Sequence, residues 1–477
     1  MTHSNVTRRR FLGTTAGFAG AAALGSLAAP AIAQERSVRV LTVGDPFQYS
    51  LRELLPEFTA KTGIKVEFEG LGYDALQARL ISSFVSKTSD ADVINVDQMW
   101  AGQYTDNGWI QPLNDFAKGD SDFNINDFVP ETLHSISTWR GNLVTVPVAS
   151  YSQGVMYRKS VFEKLGIDEP AAGWTWDQYK EILGRIHGQE VDGVKMNGTV
   201  VCGAQPVPVV HMFSQLSASL NAPWFKAFPG AETWDFTPQM NSENMKRAVS
   251  LYKELYGLSP QESINYTWFD AGTRFSQADI GMFYWWSAYF TLVNADGYMT
   301  GAPSKVKGDF GIVPCPQDGT NPSRVSLGGW SLGMPSTAGR PEEAWEFIKW
   351  ATSAETQKAM GLNDKFGHMF SDFSRESLFA DSDLLEVYPF LPQARAMLNG
   401  ADGKLARPPA PIYTTLEGIF GLELNKVLAG QSDVDAALEQ VNTLYTNALS
   451  GNFMLPYVQP SFNDTFDATK ALIASLA

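Results

Sequence analysis

The chain has 477 residues, 36 Lys and Arg against 51 Asp and Glu, a formal net charge of −15, and 44% hydrophobic residues. An acidic surplus of that size excludes the basic surface that phosphate backbones require, so nucleic acid is not expected as a partner. The apolar content over this length allows two or more domains with real cores. Two distant cysteines, Cys202 and Cys315, and five scattered histidines make no metal motif, and neither a dinucleotide Gly-x-Gly-x-x-Gly nor a haem Cys-x-x-Cys-His is present; no metal or cofactor is expected. Each cysteine reads as a small buried hydrophobe, with a disulfide as the alternative.

Thr7-Arg8-Arg9-Arg10-Phe11-Leu12, an Ala- and Gly-rich apolar run and Ala31-Ile32-Ala33 make a charged start, an apolar stretch and a small-x-small cleavage site. Arg8 and Arg9 before Phe11-Leu12 resemble a twin-arginine export signal, so residues 1–33 are expected to be removed and the mature chain to be periplasmic. No cysteine stands near the cleavage site to carry a lipid.

Ser37-Val-Arg-Val-Leu-Thr-Val43 alternates as a strand and stops at Gly44-Asp45-Pro46; a helix closed by Gly63 follows, then a strand over 64–68. Strand, helix and strand in that span predict a βαβ unit and a parallel sheet. A helix over 73–87 leads into Asp92-Val-Ile-Asn-Val-Asp97, apolar enough for a buried strand, with Gln98-Met99-Trp100 beyond its carboxyl end. Ligands of open α/β sheets bind outside the carboxyl ends of strands, which is where Asp45, Asp97, Gln98 and Trp100 fall. Each aspartate reads as a ligand acceptor or as a helix N-cap. Farther on, 280–290 crowds aromatic rings that suit either sugar stacking or a buried core.

Six collinear stretches carry a resemblance. They are Asn107-Gly-Trp-Ile-Gln-Pro-Leu113, Val146-Pro-Val148 with Tyr157 through Gly166 and Trp174-Thr-Trp-Asp177, Asp279-Ile-Gly-Met282, Gly308-Asp-Phe-Gly-Ile-Val-Pro314, Ser326-Leu-Gly-Gly-Trp-Ser-Leu-Gly-Met334 and Arg407-Pro-Pro-Ala-Pro-Ile-Tyr413, with an amphipathic helix over 342–360. In this order, across residues 37–460, they resemble the extracellular solute-binding proteins, family 1, of bacterial sugar ABC importers, maltose-binding-like in type. The resemblance implies an α/β, type II, two-lobe periplasmic-binding-protein fold, each lobe a mainly parallel sheet flanked by helices, with hinge strands between. The implied lobes are 37–148 with 310–352 and 149–309 with 353–477, the chain crossing near 148–152, 308–314 and 351–364. Residues 365–404 are expected to be a helical insertion. The implied function is capture of a carbohydrate, whether monosaccharide, oligosaccharide or polyol, by a monomer that delivers it to inner-membrane ABC permease subunits.

For ligand contact the candidates at the first crossing are Tyr151 and Ser152. In the second lobe Trp268, Asp270, Trp285 and Trp286 combine stacking faces with an acceptor, and alternation lets only one of Trp285 and Trp286 face a cleft. Gly328-Gly329-Trp330 would bring backbone close to a ligand, or make a tight turn or bulge. Arg407 is the cation of the late loop. An anionic sugar derivative bound by Arg274, Arg324 or Arg407 is the alternative ligand. An exported glycoside hydrolase is disfavoured, because no recognisable acid and nucleophile pair or Ser/His/Asp arrangement appears, and no catalytic residue is expected.

Overall fold

The computed structural model describes residues 36–477 except 89, 229, 231, 295–302, 320–323, 366, 452–457 and 461–463. The expected export signal therefore lies outside the described residues. Strand β1 (Ser37–Val43) leads into helix α1 (Pro46–Thr62), which Pro46 opens and Gly63 ends with a left-handed φ of 70°. Strand β2 (Lys65–Leu71) pairs parallel with β1 from Ser37 opposite Lys65 to Val43 opposite Leu71. Helix α2 (Tyr73–Ser86) brings the chain to β3 (Val93–Asp97), parallel to β1 on its other edge. The βαβ reading holds.

The centre of the sheet is β4 (Val146–Arg158), thirteen residues long and buried throughout. Its far half is flanked by β5 (Met282–Trp286) and β6 (Phe310–Pro314), with Trp286 opposite Gln153 and Phe310 opposite Arg158. Its near half pairs with β7 (Leu327–Gly333), and β7 also pairs with β3, so one sheet runs β5-β4-β7-β3-β1-β2 with β6 on the free edge of β4. All pairs made by β4 and β7 are antiparallel, whereas parallel pairing had been expected in both lobes. Apolar alternation buries a strand but does not encode its direction, which the connection decides.

Several elements differ from expectation. Phe310–Pro314 lies along the far half of β4, and the strand that reaches β3 is β7. The single helix expected over 342–360 is two, Pro341–Ala351 and Ala354–Leu362, because the Ser353 hydroxyl accepts from the Thr356 N–H at 3.1 Å and caps a new start. The second of these packs against α1. Within 365–404, Phe370, Phe373, Leu384, Tyr388 and Leu391 are buried, and Leu391–Leu398 packs on β4, so the segment is core. Cys202 and Cys315 are both buried and form no disulfide.

Three further helices complete the site. Helix α3 (Val207–Ser219) is buried almost all round and packs against α5 (Tyr413–Leu428), while α4 (Trp268–Ser276) opens on a capping box between Thr267 and Asp270. Among the described residues no helix is long and apolar enough to cross a membrane, and no group of His, Cys, Asp and Glu could hold a metal ion.

Candidate binding site

A cavity of about 550 Å³ opens over the carboxyl ends of β1 and β3, with Gly44, Asp45 and Asp97 in its floor and Tyr73, Tyr151, Trp268, Trp286, Tyr289 and Trp330 in its walls. Sheet register assembles it. Pairing of β7 with β3 sets Trp330 opposite Asp97, and pairing with β4 sets Gly328 opposite Tyr151. Tyr73 holds the wall together, its ring 5.6 Å from Trp268 and 5.9 Å from Trp330.

Asp45 and Asp97 both stand at N-cap positions, and neither makes a side-chain capping bond. The Asp45 carboxylate accepts instead from the Tyr151 hydroxyl and, at 3.3 Å, from the Trp330 indole N–H. Enclosure pushes its pKa up to about 6, against the pull of the Tyr151 hydroxyl and the Trp330 indole N–H. Asp97 accepts from the Tyr73 hydroxyl at 3.1 Å; burial pushes its pKa up, with the charge of Arg407 opposing. A carboxylate offers about four lone-pair positions, so both retain capacity for ligand hydroxyls.

Opposite them, Arg407 is 2% exposed and lies 4.9 Å over the Trp286 ring. Gly328 admits it, since a Cβ there would stand 2.2 Å from the Arg407 Nη2. Gly329, at φ 155°, would put a Cβ 2.2 Å from the Ala149 carbonyl oxygen. These glycines thus serve the arginine and the neighbouring strand, as well as lining the cavity.

Of the residues singled out from sequence, Asp45, Asp97, Tyr151, Trp268, Trp286, Gly328, Gly329, Trp330 and Arg407 line one cavity, and five do not. Gln98 is buried and donates to the Gly403 carbonyl at 3.1 Å. Trp100 is wholly buried behind the wall, 5.2 Å from Tyr73 and 5.8 Å from Trp330. Ser152 spends its carbonyl on the Ser287 N–H at 2.8 Å within the sheet. Asp270 closes the capping box of α4, accepting from the Thr267 N–H at 2.9 Å and hydroxyl at 2.7 Å. Trp285 alternates away from Trp286 and is fully buried.

Tyr73, His211, Phe269 and Tyr289 line the cavity without having been singled out. Tyr73 directly follows the carboxyl end of β2, so the strand-end rule that pointed to Asp45 and Asp97 points to it too. Glu417 interrupts an apolar face of α5 between Tyr413 and Phe420, a signal of a buried polar contact, whereas His211 shares its face of α3 with Ser214 and Gln215 and left no such signal. Asp372, whose carboxylate accepts from the Ser287 hydroxyl and whose burial pushes its pKa up to about 8, left no sequence signal.

The sequence profile of the bacterial extracellular solute-binding protein family matches residues 44–358. The chain belongs to that family. As a solute-binding protein it resembles a mannitol-binding protein of Pseudomonas aeruginosa, 22% identical over 89% of this chain and 91% of the relative. It also resembles a probable amino-acid ABC transporter periplasmic-binding protein of Sinorhizobium fredii, 24% identical over 84% of this chain and 88% of the relative. Among solved structures, a solute-binding protein of Agrobacterium radiobacter K84 in complex with ribitol superposes with a TM-score of 0.75 at 27% identity, covering 87% of this chain and 98% of its own. One of Agrobacterium vitis S4 with bound D-mannitol gives 0.72 at 25% identity, covering 88% and 99%. The fold is the two-lobe solute-binding fold of the maltose-binding type, and the chain is the binding component of an ABC transport system.

Proposed function

We propose that this solute-binding protein takes a neutral polyol or small sugar into the cavity between its lobes and presents it unchanged to an inner-membrane ABC permease. The observation that carries the reading is the pairing, in one cavity, of Asp45 and Asp97 with the aromatic faces of Trp268, Trp286 and Trp330. Carboxylates accept vicinal hydroxyls strongly, and indole faces cover the C–H surface that remains. The ribitol and D-mannitol carried by the two Agrobacterium relatives support the same class. We take the lobes to divide within β4, near residues 152–153, and the protein to act as a monomer in the periplasm after twin-arginine export. It performs no catalysis in this reading.

Titration calorimetry with ribitol, D-mannitol and maltose tests it. Saturable heat with at least one, accompanied by a smaller radius of gyration in X-ray scattering, is the expected result, because a ligand held by both lobes favours the closed state. Absence of heat with all three, or tight binding with no change in shape, sinks the reading. Arg407 is the observation that favours an anionic sugar derivative instead, and mannitol 1-phosphate belongs in the same series. Since Asp45 and Asp97 face the same space, the phosphorylated compound is expected to bind more weakly than the parent polyol.

A further inference from the structure

Beneath the cavity lies a polar network that joins two of its walls. The Trp268 indole N–H donates to Nδ1 of His211 at 3.0 Å. Indole nitrogen is a donor and never an acceptor, so Nδ1 must carry the lone pair. A neutral imidazole then bears its proton on Nε2, which lies 3.2 Å from the Glu417 Oε1. Glu417 Oε1 also accepts from the Tyr413 hydroxyl at 2.8 Å. Beyond Trp268 the members are at least nine-tenths buried, His211 at 5%, Glu417 at 2% and Tyr413 at 1% exposure.

The tautomer has a consequence for Arg407. Its Nη1 lies 3.4 Å from His211 Nε2, a contact that is a hydrogen bond only if that nitrogen is bare. With the proton there, two donors face each other. Arg407 is then left with the Leu327 carbonyl at 3.5 Å, the face of Trp286, and an Nε that is buried without a partner. A guanidinium carries five N–H donors, and burying them unmet is costly.

We infer that His211, held by the Trp268 indole donor in the tautomer protonated on Nε2, is the positioning residue of this site, denying Arg407 an internal acceptor and so holding its donors for oxygen atoms of the ligand. The inference rests on the cavity being the ligand site. It deepens that reading by requiring of the ligand an acceptor oxygen, hydroxyl or carbonyl, at the end that reaches Arg407, together with donor hydroxyls at the end that reaches Asp45 and Asp97. The groups around Glu417 and His211 that bear charge or titrate are Arg407, Asp97, Tyr73, Tyr413 and Tyr445. Burial and Arg407 hold the imidazole neutral, its pKa lowered to about 3, so one tautomer serves the whole physiological range.

Two measurements test this, and the first needs no ligand. Nitrogen-15 NMR of the histidine-labelled protein, with the His211 signals assigned by their loss in His211→Gln, should show a neutral ring protonated on Nε2 from pH 5 to pH 8. A ring protonated on Nδ1, or one that titrates in that range, overturns the inference whatever the protein binds. The second is calorimetry with ribitol and D-mannitol on variants. An asparagine amide can occupy the place of Nδ1 and a glutamine amide that of Nε2, so His211→Asn keeps the acceptor for Trp268 and loses the group beside Glu417 and Arg407, and His211→Gln does the reverse. Each should lose about tenfold or more in affinity, the weight of one to two hydrogen bonds. Glu417→Gln, whose amide oxygen still accepts from Tyr413 and still stands beside His211, should stay within about threefold, whereas Glu417→Leu should fall with the histidine variants. Wild-type affinity in both histidine variants, or equal losses in Glu417→Gln and Glu417→Leu, overturns the inference. Failure of wild type to bind any polyol or sugar would instead overturn the functional reading and leave the tautomer result standing.

Discussion

Two neighbouring tryptophans divide the work of the aromatic stretch. Trp286 faces the cavity beneath Arg407, and Trp285 is fully buried on the other side of β5 with its indole nitrogen unpartnered. Replacing Trp285 with alanine leaves a void in a close-packed interior and should cost about 3–5 kcal/mol of stability, read in denaturant unfolding. Trp286→Ala should instead weaken ligand binding several-fold or more, with Trp286→Phe recovering part of the loss because most of the contact is ring face. Equal loss of stability in both variants with unchanged affinity would remove Trp286 from the site.

The elements that shape the cavity do so through close approach. At Gly329 the positive φ and the Ala149 carbonyl leave no room for a side chain, and at Gly328 the obstacle is Arg407 itself. Gly329→Ala must therefore shift β7 against β4 and should lower the melting temperature by about 1–3 °C, the response of a chain of this length to about 1–3 kcal/mol of backbone strain. Gly328→Ala meets the movable end of an arginine, so its main effect should be on affinity. Calorimetry and thermal unfolding of the two variants side by side distinguish these, and a stability loss at Gly328 larger than at Gly329 would contradict the account. Asp270 belongs to this scale as well, since its capping box aims α4 and thereby Trp268, although its carboxylate never enters the cavity.

Across the whole molecule, buried carboxyl groups couple folding to pH. Burial pushes Asp372 and Glu417 each up to about 8, while in the unfolded chain they titrate at ordinary carboxylate values near 4. Between those limits the native state binds the more protons, so stability contributed by the neutral forms is complete at low pH and is lost as pH rises through about 8. The ligand-free protein should melt at progressively lower temperature between pH 5 and pH 9, and Asp372→Asn, whose amide oxygen can still accept from Ser287, should flatten part of that slope. A melting temperature that rises over this range, or a slope unaltered in Asp372→Asn, would show that these carboxyls are ionised in the native state.

Much of this was legible in the chain itself. Alternation and turn residues located β1, α1, β2, α2 and β3, because a half-buried strand and an amphipathic helix each imprint a period on the sequence, and the strand-end rule then selected Asp45 and Asp97. Collinear motifs indicated the family, and alternation alone required that Trp285 and Trp286 point apart. The sequence could not say which of the two faces the cavity, that Asp270 is spent on a cap, or that Trp100 stands behind the wall instead of in it. Those outcomes depend on which strands become neighbours and in what direction, as when β7 enters between β3 and β4 and places Trp330 beside Asp97. The network of His211, Glu417 and Arg407 likewise exists only in the folded molecule, where residues 196 positions apart meet and the tautomer of one ring is chosen by an indole donor from a third element. Local periodicity records what each segment buries, whereas hydrogen bonding between distant segments is decided by packing, and packing decided which of these polar groups remain to meet a ligand.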